Sequence, residues 1–181
     1  MTPSVSYTFG PEARGDGRRV FRLWAPTATT VTLELVRDDA APEQIELHPA
    51  GDGTNQRRWF HSEVLDAPAG TRYGFRINGD LLVPDPASRM QAVDVHGYSV
   101  VVDSSPLDLS GWSNHSWRDT TIYEAHVGTG TPEGTFAGLA ARLSYLAELG
   151  ITVLELMPVA DFPGSRNWGY DGVLPFAPDR S

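Results

Sequence analysis

Asn167, Trp168, Gly169, Tyr170 and Asp171 stand consecutively, and this run holds the densest chemistry in the chain. A tyrosine offers a flat apolar face with a polar tip, and a carboxylate accepts hydrogen bonds. Together they suit a hydroxyl-rich ligand such as a sugar. Tyr170 would stack on the ring, and Asp171 would accept from hydroxyls or steer an arginine. Trp168 and Gly169 would fix the loop so that Tyr170 points inward. The same aromatics equally suit a plug at the end of a small core, and spacing alone leaves both readings open.

Other chemistry-bearing residues have plainer readings. Glu124 and His126 alternate on one expected strand with Ile122, which suits a structural hydrogen-bond pair. Glu155 lies mid-strand between leucines, where a buried carboxylate needs a partner; a structural ion pair is expected. Gly128, Gly130 and Gly134 between strand and helix imitate a dinucleotide fingerprint. The spacing is one residue too long, Pro132 removes a donor, and Glu133 places negative charge where a pyrophosphate would sit. The 5 histidines are scattered without ligand spacing, and there is no cysteine, so neither a metal nor a cofactor is expected. Pro84-Asp85-Pro86-Ala87-Ser88-Arg89 reads as a rigid loop holding one domain in register with the next.

Two kinds of periodicity must position these residues. Up to about Val102 the pattern is of short strands between turns: Val20–Trp24, Thr30–Val36, Gln44–His48, Arg58–Val64, Arg72–Ile77, Leu81–Val83 and Tyr98–Val102. Turns are read at Ala25-Pro26, Asp38-Asp39, Gly51-Asp52-Gly53, Pro68-Ala69-Gly70 and Asn78-Gly79-Asp80, where Asn-Gly is a strong hairpin signal. Seven strands in about a hundred residues suggest an immunoglobulin-like sandwich. Trp24 and Trp59 lie on strands and read as core, without an obvious row of exposed aromatics. Residues 103–120 read as an ordered linker, punctuated by Pro106, Gly111 and Asn114 and anchored by Trp112 and Trp117.

From Thr121 the period changes. Thr121–Val127 reads as a strand. Phe136, Leu139, Leu143 and Leu146 recur at helical spacing, with Thr135 as N-cap and Gly150 as stop. Ile151–Leu156 reads as a second strand, rich in branched apolar residues. This is a βαβ unit, whose crossover implies a parallel pair. In a parallel barrel, the loop after such a strand delivers side chains to a site at the C-terminal mouth.

Bulk composition narrows the function classes. The chain has 181 residues and a net charge of −9, and all 14 of its basic residues are arginine. An acidic chain without a basic cluster is a poor binder of nucleic acid or anionic membrane. No apolar run reaches spanning length, and no signal-like segment opens the chain, so a cytoplasmic location is expected. Oligomeric state is not legible.

The motifs FRLWAP at Phe21–Pro26, VPDPASR at Val83–Arg89, IYEAHVGTGTPEGTF at Ile122–Phe136 and ITVLELMPVADFPGSRNWGYDG at Ile151–Gly172 resemble malto-oligosyltrehalose trehalohydrolases, within glycoside hydrolase family 13. The resemblance runs from about Tyr7 to Ser181. It implies an immunoglobulin-like β-sandwich of the carbohydrate-binding module family 48 type over residues 1–102, then the linker 103–120. Residues 121–181 would be the first βαβ of a (β/α)8 barrel. It further implies hydrolysis of the α-1,4 bond next to the trehalose end of maltooligosyltrehalose, an α-1,4-glucan derivative. Substrate-binding roles carry over to Tyr170, Asp171 and Trp168. The nucleophile and acid/base of this retaining chemistry lie on later barrel strands, so no catalytic residue is expected here. A complete barrel takes about 250 residues, and retaining carboxylates must stand about 5–5.5 Å apart on such a scaffold. This chain alone is therefore expected to be an inactive N-terminal fragment, with a stand-alone glucan- or partner-binding module as the alternative. Gly130 departs from the family, which usually has phenylalanine there.

Overall fold

The structure, a computed structural model, describes residues 9–38, 40–50, 59–103, 108–113 and 115–180. The expected turns at Asp38-Asp39 and Gly51-Asp52-Gly53 fall wholly or partly outside those residues, as do Tyr7, Arg58, Pro106, Asn114 and Ser181. The described chain forms two compact units. One comprises residues 1–103, 160–164 and 173–181; the other comprises 104–159 and 165–172.

The first unit is two antiparallel layers around one core. One layer contains β4 (Val31–Val36), β5 (Glu43–Glu46), β9 (Arg72–Ile77), β10 (Leu81–Val83) and β11 (Ser99–Val100), in the order β10-β9-β4-β5 with β11 also on β9. The other layer is built from β1 (Glu12–Ala13), β2 (Arg18–Val20), β3 (Arg22–Trp24), β6 (His48–Pro49), β7 (Trp59–His61) and β8 (Leu65–Asp66). It pairs as β1-β2-β8 and β3-β7-β6. Alternate residues of both layers meet inside: Leu33, Leu35, Tyr73 and Phe75 from one, Phe21, Leu23 and Phe60 from the other.

The expected strand Val20–Trp24 is split between β2 and β3, Gln44–His48 is split between β5 and β6, and Arg58–Val64 is cut short at His61. Phe21 interrupts 18–24 because its N–H goes to Ser62 Oγ at 3.0 Å while its carbonyl accepts from Ser62 N–H at 3.0 Å. That exchange ends β7 at His61 and begins a separate β8. The Asn78-Gly79 hairpin forms as expected: both residues have positive φ, 52° and 83°, and Leu81 pairs with Ile77. The Asn78 side-chain Oδ1 also accepts from Thr29 N–H at 2.8 Å and Thr30 N–H at 3.2 Å, tying the hairpin to the loop before β4.

The Pro84–Arg89 loop is tied into the sandwich itself. Asp85 accepts from Tyr73 O–H at 2.9 Å and from Ala87 N–H at 2.8 Å, and its own N–H donates to Ser99 Oγ at 3.0 Å. Ser99 O–H then donates to Gln91 Oε1 at 2.9 Å, and the Gln91 amide reaches the Asp94 carbonyl at 3.0 Å. All of these side chains are buried, so each polar atom needs the partner it has. Burial pushes the Asp85 carboxyl up, against the Ala87 N–H, the Tyr73 hydroxyl and Arg89. The same burial, with Asp85 beside it, pushes the Tyr73 phenol well up. The unit is completed by β14 (Ala160–Asp161) and β15 (Leu174–Pro178), an antiparallel pair whose Leu174 and Ala177 pack on Val95.

The second unit is a βαβ crossover. β12 (Ile122–Ala125) pairs in parallel with β13 (Val153–Leu156), Glu124 opposite Glu155. Between them lie α1 (Val127–Gly130), α2 (Phe136–Ala140) and α3 (Leu143–Glu148). Thr135 caps α2 by accepting from Gly138 N–H at 3.0 Å. Gly150, at φ 94°, stops α3, with Ile151 N–H reaching back to the Leu146 carbonyl at 3.0 Å. Leu139 and Leu146 are buried, whereas Phe136 and Leu143 are exposed. Trp112 and Trp117 are exposed as well, so they do not anchor the segment that carries them.

Candidate functional site

The loop after β13 is organised by one side chain. Asn167 Oδ1 accepts from three successive backbone donors: Gly169 N–H at 2.8 Å, Tyr170 N–H at 3.1 Å and Asp171 N–H at 3.2 Å. A short amide folding the following residues onto itself is an Asx turn. Gly169 is required here for two reasons. Its φ is +102°, and a Cβ built on it would lie 2.7 Å from the Pro158 carbonyl oxygen. Any other residue clashes with the end of the strand and strains the backbone.

A second tie comes from β12. The His126 ring, just past the strand end, places Nε2 2.8 Å from the Asn167 carbonyl oxygen. A carbonyl only accepts, so Nε2 carries the hydrogen in this contact. His126 is thus bonded to the loop rather than to Glu124, which is exposed. Both partners lie in the second unit, where β12 and β13 are neighbours. The parallel pairing therefore positions a histidine from one strand end to hold the loop from the other.

Asn167 and Gly169 are held inward, and the residues read as ligand-contacting are left outside. Trp168 is 80% exposed and Tyr170 is 72% exposed, and Asp171 is exposed beside it. Neither aromatic plugs a core. The loop presents a ring, an indole and a carboxylate on a frame of three hydrogen bonds, an arrangement able to stack on an apolar ring face and accept from hydroxyls. Sequence reasoning took Asn167 as part of the run but missed its role and that of His126. The Asn-x-Gly spacing, followed by two further N–H groups, was the available signal.

Glu155 is exposed on β13 rather than buried in an ion pair. A carboxylate that is buried with a charged partner is Glu34, on β4. It accepts from Arg76 Nε at 2.8 Å, Gln44 Nε2 at 3.0 Å and Tyr98 O–H at 2.8 Å. Burial alone would push its carboxyl up, but the Arg76, Tyr98 and Gln44 hydrogen bonds outweigh this and hold it below the usual glutamate range. Among the described residues, no group of three or more His, Asp or Glu could hold a metal ion, and no helix is long and apolar enough to cross a membrane.

Within the two-layer unit, residues 8–88 match the family model described as Carbohydrate-binding module 48 (Isoamylase N-terminal domain). Over nearly all its length the chain is similar to the N-terminal portion of malto-oligosyltrehalose trehalohydrolases. It is 39% identical to the one from Saccharolobus solfataricus over 96% of this chain, and 42% identical to that from a Rhizobium species over 91%. The chain spans 29% and 27% of those two relatives' lengths. Among solved structures, an alpha-amylase-like protein from Salmonella typhimurium superposes with a TM-score of 0.83 at 44% identity, over 95% of this chain and 28% of that one. A pullulanase from an Anoxybacillus species, solved with maltotetraose, gives 0.74 at 25% identity, over 95% and 29%.

Proposed function

We propose that these residues serve an α-glucan-processing glycosidase that hydrolyses the α-1,4 bond next to the trehalose end of maltooligosyltrehalose, as part of trehalose formation. In this reading residues 1–102 are the carbohydrate-binding module, 103–120 a linker, and 121–181 the start of a (β/α)8 barrel. The nucleophile and the acid/base belong to later barrel strands. Trp168, Tyr170 and Asp171 contact sugar at the barrel mouth, with Tyr170 stacking at the cleavage subsite. His126 and Asn167 position that loop without touching substrate.

The observation that carries the reading is the loop after β13. A barrel places its site where strands end, and here three exposed groups suited to sugar sit on a preorganised turn at a parallel strand's C-terminal end. Support also comes from the β12–β13 pair. Ile122, Tyr123, Val153 and Leu156 are all exposed in this two-stranded sheet, although purely parallel sheets are normally covered on both faces. Further strands and helices would cover them. That exposure disfavours a stand-alone module, which would carry an open apolar sheet at a cost in solubility. The names of the relatives and the maltotetraose bound by the pullulanase neighbour support an α-glucan substrate class.

The test is a chimera joining residues 1–181 to the remainder of the Saccharolobus relative. It should release trehalose from maltooligosyltrehalose, while the 181-residue chain alone releases none. A folded chimera that releases no trehalose would overturn the proposal.

A further inference from the structure

β14 and β15 belong to the first unit, yet in the chain they bracket the loop that carries Trp168, Tyr170 and Asp171. Asp161 stands opposite Leu174, and Val173 N–H donates to the Asp161 backbone carbonyl at 2.9 Å, so this pair closes the base of residues 162–172. Tyr170 is three residues from Val173, and three residues reach at most about 10 Å. A shift of this stem therefore moves the backbone that aims the ring. The stem is held by the segment that follows β10. Val95 is buried against Leu174 and Ala177, and the Arg89 guanidinium lies over the Phe176 ring, 5.6 Å from its centroid. Val95 is itself fixed by its neighbour. The Asp94 carbonyl accepts from the Gln91 amide at 3.0 Å and from Gly97 N–H at 3.1 Å, and the Asp94 carboxylate accepts from His96 N–H at 2.8 Å. Gln91 is bonded in turn to buried Ser88 and Ser99.

We propose that Val95 and Arg89 are positioning residues for the sugar-contacting loop, acting through the β14–β15 stem. The proposal rests on the reading of Tyr170 as a sugar contact and adds residues of the first unit to that loop's support. The stem is short: β14 has 2 residues, and the register shifts between Ala160 and Asp161. A two-stranded ribbon is marginally stable at best by itself, so its place is set by what it packs against. Leu174 and Ala177 are both buried there, and Leu174 directly follows the residue that closes the loop. Asn167 Oδ1 bonds only to the N–H groups of residues 169–171, so it fixes the shape of the turn and not its place. Its place is set at one end by His126 on the Asn167 carbonyl and at the other by Val173 on the stem. With the Val95 contact removed, the turn keeps its shape and loses its second anchor.

Amide hydrogen exchange in the full 181-residue chain, read residue by residue, tests the anchor without any activity. Val95→Ala should speed exchange at Tyr170 and Val173 several-fold. It should leave the Gly138 N–H, capped by Thr135, and the Phe75 N–H on β9 at the parent's rates. Val93→Ala makes the same change two residues away on a side chain that is 88% exposed, and should alter none of them. Leu174→Ala should reproduce Val95→Ala, and the double variant should go no further than the larger single, because both remove one contact. Arg89→Gln should act in the same direction and less, since Phe176 is half exposed. In the chimera, Val95→Ala should lower kcat about tenfold with KM little changed, because the contacting groups are all present and only their aim is loosened. Leu174→Met, which conserves volume, should keep the parent's kcat. Parental exchange at Tyr170 and Val173 in Val95→Ala, faster exchange throughout the chain, or losses that multiply in the double variant would each overturn the anchor. An active chimera in which Val95→Ala is kinetically parental overturns the anchor and leaves the hydrolytic reading standing. A chimera that releases no trehalose overturns the hydrolytic reading, and the exchange rates still decide the anchor.

Discussion

At the residue scale, the candidate site is a problem of aim. Tyr170 contributes little to packing, but the groups behind it are constrained: a glycine at φ +102° against a proline carbonyl, an asparagine closing three donors, and a histidine on the asparagine's own carbonyl. Gly169→Ala in the chimera should lower catalytic efficiency by one to three orders of magnitude, roughly 1.4–4 kcal/mol. His126→Ala frees only one tie, so its loss should be smaller and fall mainly on kcat. Steady-state kinetics on both variants checks the order. Glu34 allows a separate test through pH. Its folded-state carboxyl is held low by its three donors, so its contribution is complete above the unfolded value, about 4.3. It is lost as pH falls through the lower folded value. Glu34→Gln keeps the shape and removes the charge. It should cost about 1–2 kcal/mol at pH 7, and its melting curve should converge with that of the parent near pH 3. A constant difference across that range would contradict the charge argument.

At the scale of elements, local chemistry was legible and alternation was only partly used. Thr135, Gly150 and Asn78-Gly79 act where their types predict, because caps and tight turns depend on a few adjacent atoms. The parallel pair followed from the crossover. Trp24 and Trp59 were read as core, yet Leu23 and Phe60 between their neighbours hold the inward positions, so strand alternation itself points both tryptophans out. The breaks at Phe21 and Ser62 depend on a contact 41 residues apart in sequence and leave no local sign. Asp85 and Tyr73 were likewise unreadable as partners. Their bond closes the motif loop onto β9, so Tyr73→Phe, which strands one Asp85 oxygen in the interior, should cost about 1–3 kcal/mol. Denaturant unfolding would reveal it as a lower midpoint at unchanged slope.

At the scale of the molecule, a two-layer unit that matches a carbohydrate-binding family model and a βαβ unit are each assembled within themselves, and the loop proposed to contact sugar belongs to the second. The net charge of −9 made nucleic acid and anionic membrane poor expected partners, but composition could not reveal how a strand end aims a tyrosine. The sugar-contact role of Tyr170 is the centre of the account, and Tyr170→Ala in the chimera tests it most directly. Melting temperature and catalytic efficiency are measured on one preparation. The account predicts an efficiency ten- to a thousandfold lower with the melting temperature unmoved, because the ring is 72% exposed and supports no core. A variant that melts earlier yet turns over maltooligosyltrehalose at the parent's efficiency would contradict it.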